Sequence, residues 1–347
     1  MENKEDLKKY IMLNILRGID SFDKLLQICH GIYPTELRRL LNELKNEGLI
    51  KEENNLFVVD KNYIKSLSII NVNTLNIEEI NKEFSKLYYE LPTPHPIDYE
   101  WRWDLNSVEN LFKAIINEKP FNNLKIAFLG APTAAIYFSI AKKLENLDLE
   151  LTLIDRNEEI IRYINNHKIL NSQIKTILHD LQYDFRNQLG KFDVIVMDPP
   201  WYEDFYKVFI SRASTILQPE SGLIYSSLFP INTRPNAVYE RIEILEIFTK
   251  SGLSVLSLTP SFFKYETPHF ESKSLAVSNV KLENNWRYGD LVILQSWDAP
   301  KFWTLLVLGG RYNDPLTWTS PMLGLKNLLF SAFFPYFLWC FISKCTV

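Results

Sequence analysis

The run Lys191-Phe192-Asp193-Val194-Ile195-Val196-Met197-Asp198-Pro199-Pro200-Trp201 decides how the chain is read. From Phe192 to Met197 it is a strand in an interior sheet, because Val194 to Met197 form an unbroken apolar run instead of an alternating one. The strand ends at an acid, Asp198, and two prolines follow. They remove two N–H donors and fix two φ angles, so the turn is stiff and its carbonyls face a set direction. A substrate amine placed there donates one hydrogen bond to Asp198 and another to the Pro199 carbonyl. Positive charge growing on that nitrogen during attack is stabilised by the carboxylate. Pro200 holds the turn, and Trp201 offers a flat face to a base or a cation.

Working outward, strands and helices alternate from about residue 105 to 297. Leu124 to Leu129 reads as a buried strand, Ala134 to Leu144 as a helix, and Leu149 to Ile154 as a strand ending in Asp155. Glu158 to Asn166 is a helix, and Lys175 to Leu178 a strand ending near Asp180. After the Asp198 turn come a helix from Tyr206 to Leu217, a strand from Gly222 to Leu228 and a helix from Tyr239 to Ser251. Val255 to Leu258, Ser274 to Val277 and Leu291 to Leu294 are three further candidate strands. This βαβ alternation predicts a doubly wound, mostly parallel α/β sheet.

Ligands in such a sheet bind beyond the carboxyl ends of the strands. Three acids stand in register there. Asp155 is placed to accept the hydroxyls of a ribose, Asp180 with Leu181 to reach an adenine, and Asp198 to meet the reacting group. The loop after the first strand is Gly130-Ala131-Pro132-Thr133. Gly130 permits close backbone approach, and Thr133 is expected to cap the following helix.

Upstream, residues 1–65 read as three amphipathic helices followed by a small hairpin, the winged helix-turn-helix order. Arg38 and Arg39 on the third helix are its candidate DNA contacts. The module carries as many acidic as basic side chains, however, and the whole chain has a net charge of −4. Nucleic-acid binding is therefore not indicated by charge, and a protein-contact or dimerisation module is the other reading. Residues 66–104 form a connector, with a helix around Ile77 to Tyr89 and the proline-rich stretch Pro92 to Pro96. Its Asp98 and Trp101 are candidate substrate contacts, as are Tyr202 and Glu203 beyond the turn. Tyr265 to Lys273 is a later loop that could wall the pocket.

Residues 298–347 are a hydrophobic tail. Leu328 to Ile342 is almost wholly apolar, too short for a comfortable membrane span and interrupted by Pro335. A packed segment, a membrane-contacting tail or a tail of atypical origin all remain open, and membrane contact is not expected. The polar N-terminus carries no signal peptide. Cys29, Cys340 and Cys345 and five scattered histidines show neither disulfide nor metal-ligand spacing. A cytoplasmic homo-oligomer without a metal site is expected.

Two resemblances add to this reading. The Asp198-Pro199-Pro200-Trp201 turn resembles the catalytic turn of amino-group methyltransferases acting on nucleobase or amide nitrogens. Over about residues 90–265 the chain is similar to the branched-chain polyamine synthases. The matching stretches are Asn123 to Gly130, Leu153 to Glu158, His179-Asp180-Leu181, Lys191 to Asp193 and Asp198 to Pro200. That resemblance implies a Rossmann-like class I methyltransferase fold behind an N-terminal winged helix. It implies S-adenosylmethionine as cofactor, or decarboxylated S-adenosylmethionine as the alternative. The catalytic set is then Asp198, Pro199, Pro200 and Trp201, and the cofactor set Gly130, Ala131, Thr133, Asp155, Asp180 and Leu181. The expected function is N-methyl transfer to an amino group of a nucleobase or small amine. The alternatives are aminopropyl transfer and, in another class, a nucleoside-binding regulator. Where the polyamine synthases carry acids, after the first-loop glycine and after the turn, this chain has Ala131-Pro132-Thr133 and Trp201. Both departures remove negative charge and point away from a polycationic acceptor.

Overall fold

A computed structural model describes residues 3–29, 31–60, 70, 72–94, 100–119, 123–185, 189–219, 221–277 and 285–296, all within one compact unit, Met1–Ala299. The tail from 298 to 347 and Asp98 lie outside the described residues.

The chain opens with α1 (Asn3–Leu16), α2 (Phe22–Ile28) and α3 (Pro34–Asn46), then the antiparallel strands β1 (Ile50–Glu53) and β2 (Leu56–Val59). Leu37, Leu40, Leu41 and Leu44 recur at helical spacing on α3 and close a small core with Ile11, Leu25 and Ile50. Ser21 caps α2 by accepting from the Lys24 amide. Asn54 and Asn55 take the left-handed conformation that the tight β1–β2 turn demands. The element order is the one expected from the sequence. The two arginines on α3 are occupied locally: Arg39 pairs with Glu36 and Glu43, and Arg38 lies over the Phe22 ring at 4.4 Å.

Next come α4 (Ile77–Glu90), β3 (Arg102–Trp103), α5 (Leu105–Glu118), β4 (Leu124–Leu129) and α6 (Pro132–Leu144). They are followed by β5 (Leu149–Asp155), α7 (Glu158–Asn166), β6 (Ile174–Leu178), β7 (Val194–Met197), α8 (Glu203–Ile216) and β8 (Leu223–Leu228). The last elements are α9 (Ala237–Lys250), β9 (Leu253–Glu266), α10 (His269–Val277) and β10 (Arg287–Ser296). Eight strands form one sheet in the order β3-β9-β10-β8-β7-β4-β5-β6. β4 to β8 run parallel, and β10 enters antiparallel between β8 and β9. This is the Rossmann-like class I methyltransferase fold.

Alternation along the central strands explains the two layers. Ile126, Phe128, Val194 and Val196 face α5 and α6, whereas Ala127, Leu129, Ile195 and Met197 face α8 and α9. Both faces of β4 and β7 are covered, so each is apolar without interruption.

The structure departs from the sequence reading at four places. Ser274 to Val277 lies in α10 and is no strand; a short apolar run does not distinguish the two states by periodicity. The connector supplies an edge strand, because Arg102 and Trp103 pair with Glu266 and Tyr265 of β9, and Trp103 stacks on Phe263 at 4.2 Å. β9 is far longer than Val255 to Leu258. Phe192 precedes β7 and makes only a single bridge to Leu217. Among the described residues no helix is long and apolar enough to cross a membrane.

Alternation along β10 places Asp290 on the side of Val292 and Leu294, opposite a bulge in the β9–β10 ladder at Gly289/Leu291. Its carboxylate accepts from the Ser261 amide at 2.9 Å and from Arg241 of α9 at 2.5 Å, while Arg241 also donates to the Phe229 carbonyl at 2.9 Å. Both partners are buried, so removing one strands the other's charge away from water. Asp290→Ala is expected to lower the unfolding free energy by about 3–5 kcal/mol. Urea unfolding measures this as a lower midpoint with an unchanged slope; a loss under about 1 kcal/mol would contradict the assignment.

Candidate functional site

The direction of winding reverses between β4 and β7, since the chain runs outward through β5 and β6 and then returns to β7 and β8. The crevice at such a switch point is where a doubly wound sheet receives its ligand. A cavity of about 540 Å³ opens there, within the usual range for a small-molecule site. It is lined by the carboxyl-end residues of β4, β5, β6 and β7 together with segments from the connector, the β8–α9 loop, β9, α10 and β10.

Gly130 follows β4 with φ +59, and a Cβ there would meet the Phe209 ring at 3.3 Å. The positive φ favours glycine, and any side chain there would also press on the Phe209 ring. Ala131 precedes α6 and is its N-cap, with no side-chain cap bond. Thr133 is therefore not the cap expected of it. Pro132 takes the first helical position, for which its ring is suited, and Thr133 is carried into the first turn, buried and on the cavity wall.

Asp155 ends β5, and its Oδ1 accepts from the Asn157 amide at 2.8 Å. Asn157 caps α7 and also donates from Nδ2 to Glu100 at 3.1 Å. Glu100 in turn accepts from Arg102 Nε at 2.7 Å. A continuous polar chain thus ties the connector to the end of β5. Asp180 accepts from the Gln182 amide at 2.9 Å and lies 4.0 Å from Arg156, and Leu181 packs into the core beside it.

Asp198 follows β7. Its Oδ1 accepts two hydroxyls, from Ser227 of β8 at 2.5 Å and from Tyr265 of β9 at 2.7 Å. Ser227 is held in turn, since its carbonyl accepts from the buried Tyr206 hydroxyl at 3.1 Å. Desolvation pushes the Asp198 carboxyl up to about 7, against the opposing pull of those two hydrogen bonds. The Tyr265 hydroxyl is raised well above its ordinary value, first by burial and then by the neighbouring Asp198. Trp201 meets Tyr265 edge-on at 5.6 Å, and its carbonyl accepts from Arg234 at 2.5 Å. Gly289 makes this packing possible: a Cβ there would stand 3.1 Å from the Tyr265 ring and 3.5 Å from Trp201.

Of the residues expected from sequence, Gly130, Ala131, Thr133, Asp155, Asp180, Leu181, Asp198, Pro199, Pro200, Trp201, Trp101 and Tyr202 all line this one cavity. Glu203 does not. As the first residue of α8 it pairs with Lys207 one turn on, the favoured i,i+4 geometry. Among the described residues, no cluster of three metal-ligating side chains exists. Ser227 and Arg287 were not singled out by the sequence reading, and Tyr265 entered it only as part of a loop. The signal for Ser227 is a pair of hydroxyls, Ser226-Ser227, at the carboxyl end of the apolar strand β8. The signal for Arg287 is its place in the aromatic run Trp286-Arg287-Tyr288.

The raised carboxyl has a consequence for stability. The unfolded chain ionises Asp198 near the ordinary value of 3.8, whereas the folded chain keeps the proton to about 7. Across that interval the native state binds more protons, so this group's contribution declines as pH rises. Asp198→Asn retains an acceptor for the hydroxyls and removes the buried charge. It is expected to melt higher than the wild type at pH 8, with the gap closing toward pH 4, as read by thermal unfolding across that range. A constant gap would show that the carboxyl is not protonated on folding.

The C-terminal domain model of branched-chain polyamine synthase A matches residues 116–303, more than half of the chain. An uncharacterized protein of Methanocaldococcus jannaschii is 33% identical over 130 residues, 37% of this chain and 32% of that protein. The chain thus spans about a third of the length of that curated relative. Two crystal structures of the branched-chain polyamine synthase from Thermus thermophilus, one of them a mutein, superpose with a TM-score of 0.56. They share 14% identity with this chain, covering 84% of it and 86% of their own length, and both are complexes with N4-aminopropylspermidine and 5′-methylthioadenosine. At this identity the likeness establishes the fold. Through the family match, the chain belongs to the family of the branched-chain polyamine synthase A C-terminal domain.

Proposed function

We propose that the chain transfers an alkyl group from a sulfonium nucleoside of the S-adenosylmethionine type to a substrate amino group. The observation that carries this reading is the part-buried carboxyl of Asp198, fixed by two hydroxyls on the wall of a nucleoside-sized cavity. The residues fit such a donor. Gly130 brings bare backbone to the cavity wall, Asp155 and Asp180 stand at the ends of β5 and β6, and Leu181 offers an apolar wall. Bound there, the donor supplies a carbon made electrophilic by its positively charged sulfur.

The chain's own residues then do the following. The Pro199 carbonyl and Asp198 orient the amine, so its lone pair points away from both. Ser227 and Tyr265 occupy Oδ1 of Asp198 and leave the amine to be met at the other oxygen. As the new N–C bond forms, the carbon–sulfur bond would break and its electron pair would stay on sulfur, leaving a neutral thioether; the nitrogen becomes cationic and the carboxylate stabilises it. The proton released goes to Asp198, whose value near 7 suits a base working at neutral pH. Trp201 covers the acceptor and excludes water.

Family membership favours the aminopropyl group of decarboxylated S-adenosylmethionine as the group moved. Methyl transfer from S-adenosylmethionine is the second reading, favoured by the aromatic surface of Trp201 and Trp101 where a flat acceptor would stack. A small amine or a nucleobase is the acceptor in either case. The N-terminal helices and hairpin are read as a winged helix that contacts protein, as in a homo-oligomer, because its α3 arginines are already engaged by Glu36, Glu43 and Phe22.

Incubating the purified chain with each donor and a panel of amines and nucleic acids tests the reading. Mass spectrometry is expected to find 5′-methylthioadenosine or S-adenosylhomocysteine according to the group transferred; neither donor binding would refute it. Asp198→Asn is expected to lower kcat by about 10²–10⁴-fold, with donor affinity within about threefold of the wild type. Because the ionised carboxylate is the active form, kcat is expected to rise with pH and level off above an inflection near 7. Tyr265→Phe removes one donor hydrogen bond from Asp198 and is expected to move that inflection upward.

A further inference from the structure

Among the described residues, one arginine on the cavity wall has no acid bound to it. Arg287, the first residue of β10, sits on the wall beside the Asp198 turn. Its guanidinium carbon lies 3.8 Å from the Trp101 ring centroid, 5.1 Å from that of Trp201 and 5.4 Å from that of Trp286. Trp101 and Trp286 stand at 90° to each other, so the cation is boxed by indoles. Among the described residues Arg287 makes no ion pair. Burial is the main influence on it and lowers its pKa, with Glu271 of α10 opposing from beyond contact distance. The other arginine on this side, Arg234, is engaged by Glu240 at 2.7 Å and by the Trp201 carbonyl.

Indole faces hold a guanidinium by its flat surface and leave its N–H edge for an acceptor. A half-buried cation with open donors is unfavourable alone and favourable once an oxyanion fills the fork. A polycation entering the same space would face Arg287 at close range, with Glu271 and the part-protonated Asp198 as its counter-charges.

Resting on the transferase reading above, we propose that Arg287 receives an acidic group of the acceptor, so that the amine alkylated at Asp198 belongs to a molecule bearing a carboxylate or phosphate. The acceptor is then held at two points, nitrogen at the proline turn and oxyanion at the indole-boxed guanidinium. Trp101 and Trp201 are specificity determinants through the cation they fix.

Matched acceptors test this with the full chain and whichever donor turns over. Ornithine is compared with putrescine, which lacks only the carboxylate, and adenosine monophosphate with adenosine, which lacks only the phosphate. The acid-bearing member of one pair is expected to show a kcat/KM about tenfold or more above its partner, and the pair concerned identifies the source of the oxyanion. Arg287→Gln is expected to erase that preference through KM, with kcat little changed, and Arg287→Lys to keep part of it. Should none of the four turn over, ligand-induced shifts in melting temperature with 5′-methylthioadenosine present give the same comparison. Preference for putrescine or adenosine that survives Arg287→Gln would overturn the proposal. So would an Arg287→Gln variant that loses affinity for S-adenosylmethionine but not for 5′-methylthioadenosine, with acceptor preference intact, for the arginine would then serve the donor. Failure of both donors to bind the wild type would instead remove the transferase reading itself.

Discussion

A carboxyl group at the end of a strand covered on both faces has little access to water. Asp198 is in that position because β7 lies in the middle of the sheet, between β4 and β8. The fold compensates with two hydroxyls, one from the adjacent strand β8 and one from β9 beyond β10, and these reach only one carboxyl oxygen. The balance between desolvation and hydrogen bonding leaves the group half-way between acid and base near neutrality. Much of the surrounding architecture serves this balance. Tyr206 pins Ser227, the absent side chain of Gly289 admits Tyr265 and Trp201, and the Asp290–Arg241 pair fixes the bulge next to Gly289.

The crevice is a joint product of distant segments. The side proposed for the nucleoside comes from the ends of β4, β5 and β6, adjacent in sequence and in space. The other side draws Trp101 from the connector, Trp201 from the turn, Tyr265 from β9 and Arg287 from β10. The Glu100–Asn157 and Glu100–Arg102 bonds join the two sides.

The strand-end side of the cavity was legible in the sequence for a physical reason. Strand-end residues such as Asp155, Asp180 and Asp198 follow apolar runs whose lengths mark the strands, so position along the chain reports position in space. The βαβ order and the reversal at β4 and β7 follow from the same pattern. The opposite side was less legible. Tyr265 and Arg287 become neighbours only through an antiparallel ladder whose register is set by the bulge at Gly289/Leu291, and no local pattern announces it. Ser274 to Val277 reads like a strand but is helix. Thr133 has a capping residue's chemistry, yet Pro132 moves the helix start ahead of it. Glu203 carries the right charge, but helical spacing turns it toward Lys207.

The position of β10 between β8 and β9 has a temporal meaning as well. The strand that completes the sheet's middle is the last of the described strands in chain order, so β8 waits for its second neighbour some sixty residues downstream. A nascent chain released only as far as α9 already possesses the Gly130, Asp155 and Asp180 shelf, but Asp198 still lacks its tyrosine and β8 has a bare edge. Such an edge invites pairing with other chains, and long-range ladders of this kind form slowly. Arrival of β10 therefore seals the sheet against association and, in the same event, sets the electrostatic state of the carboxyl on which catalysis would turn.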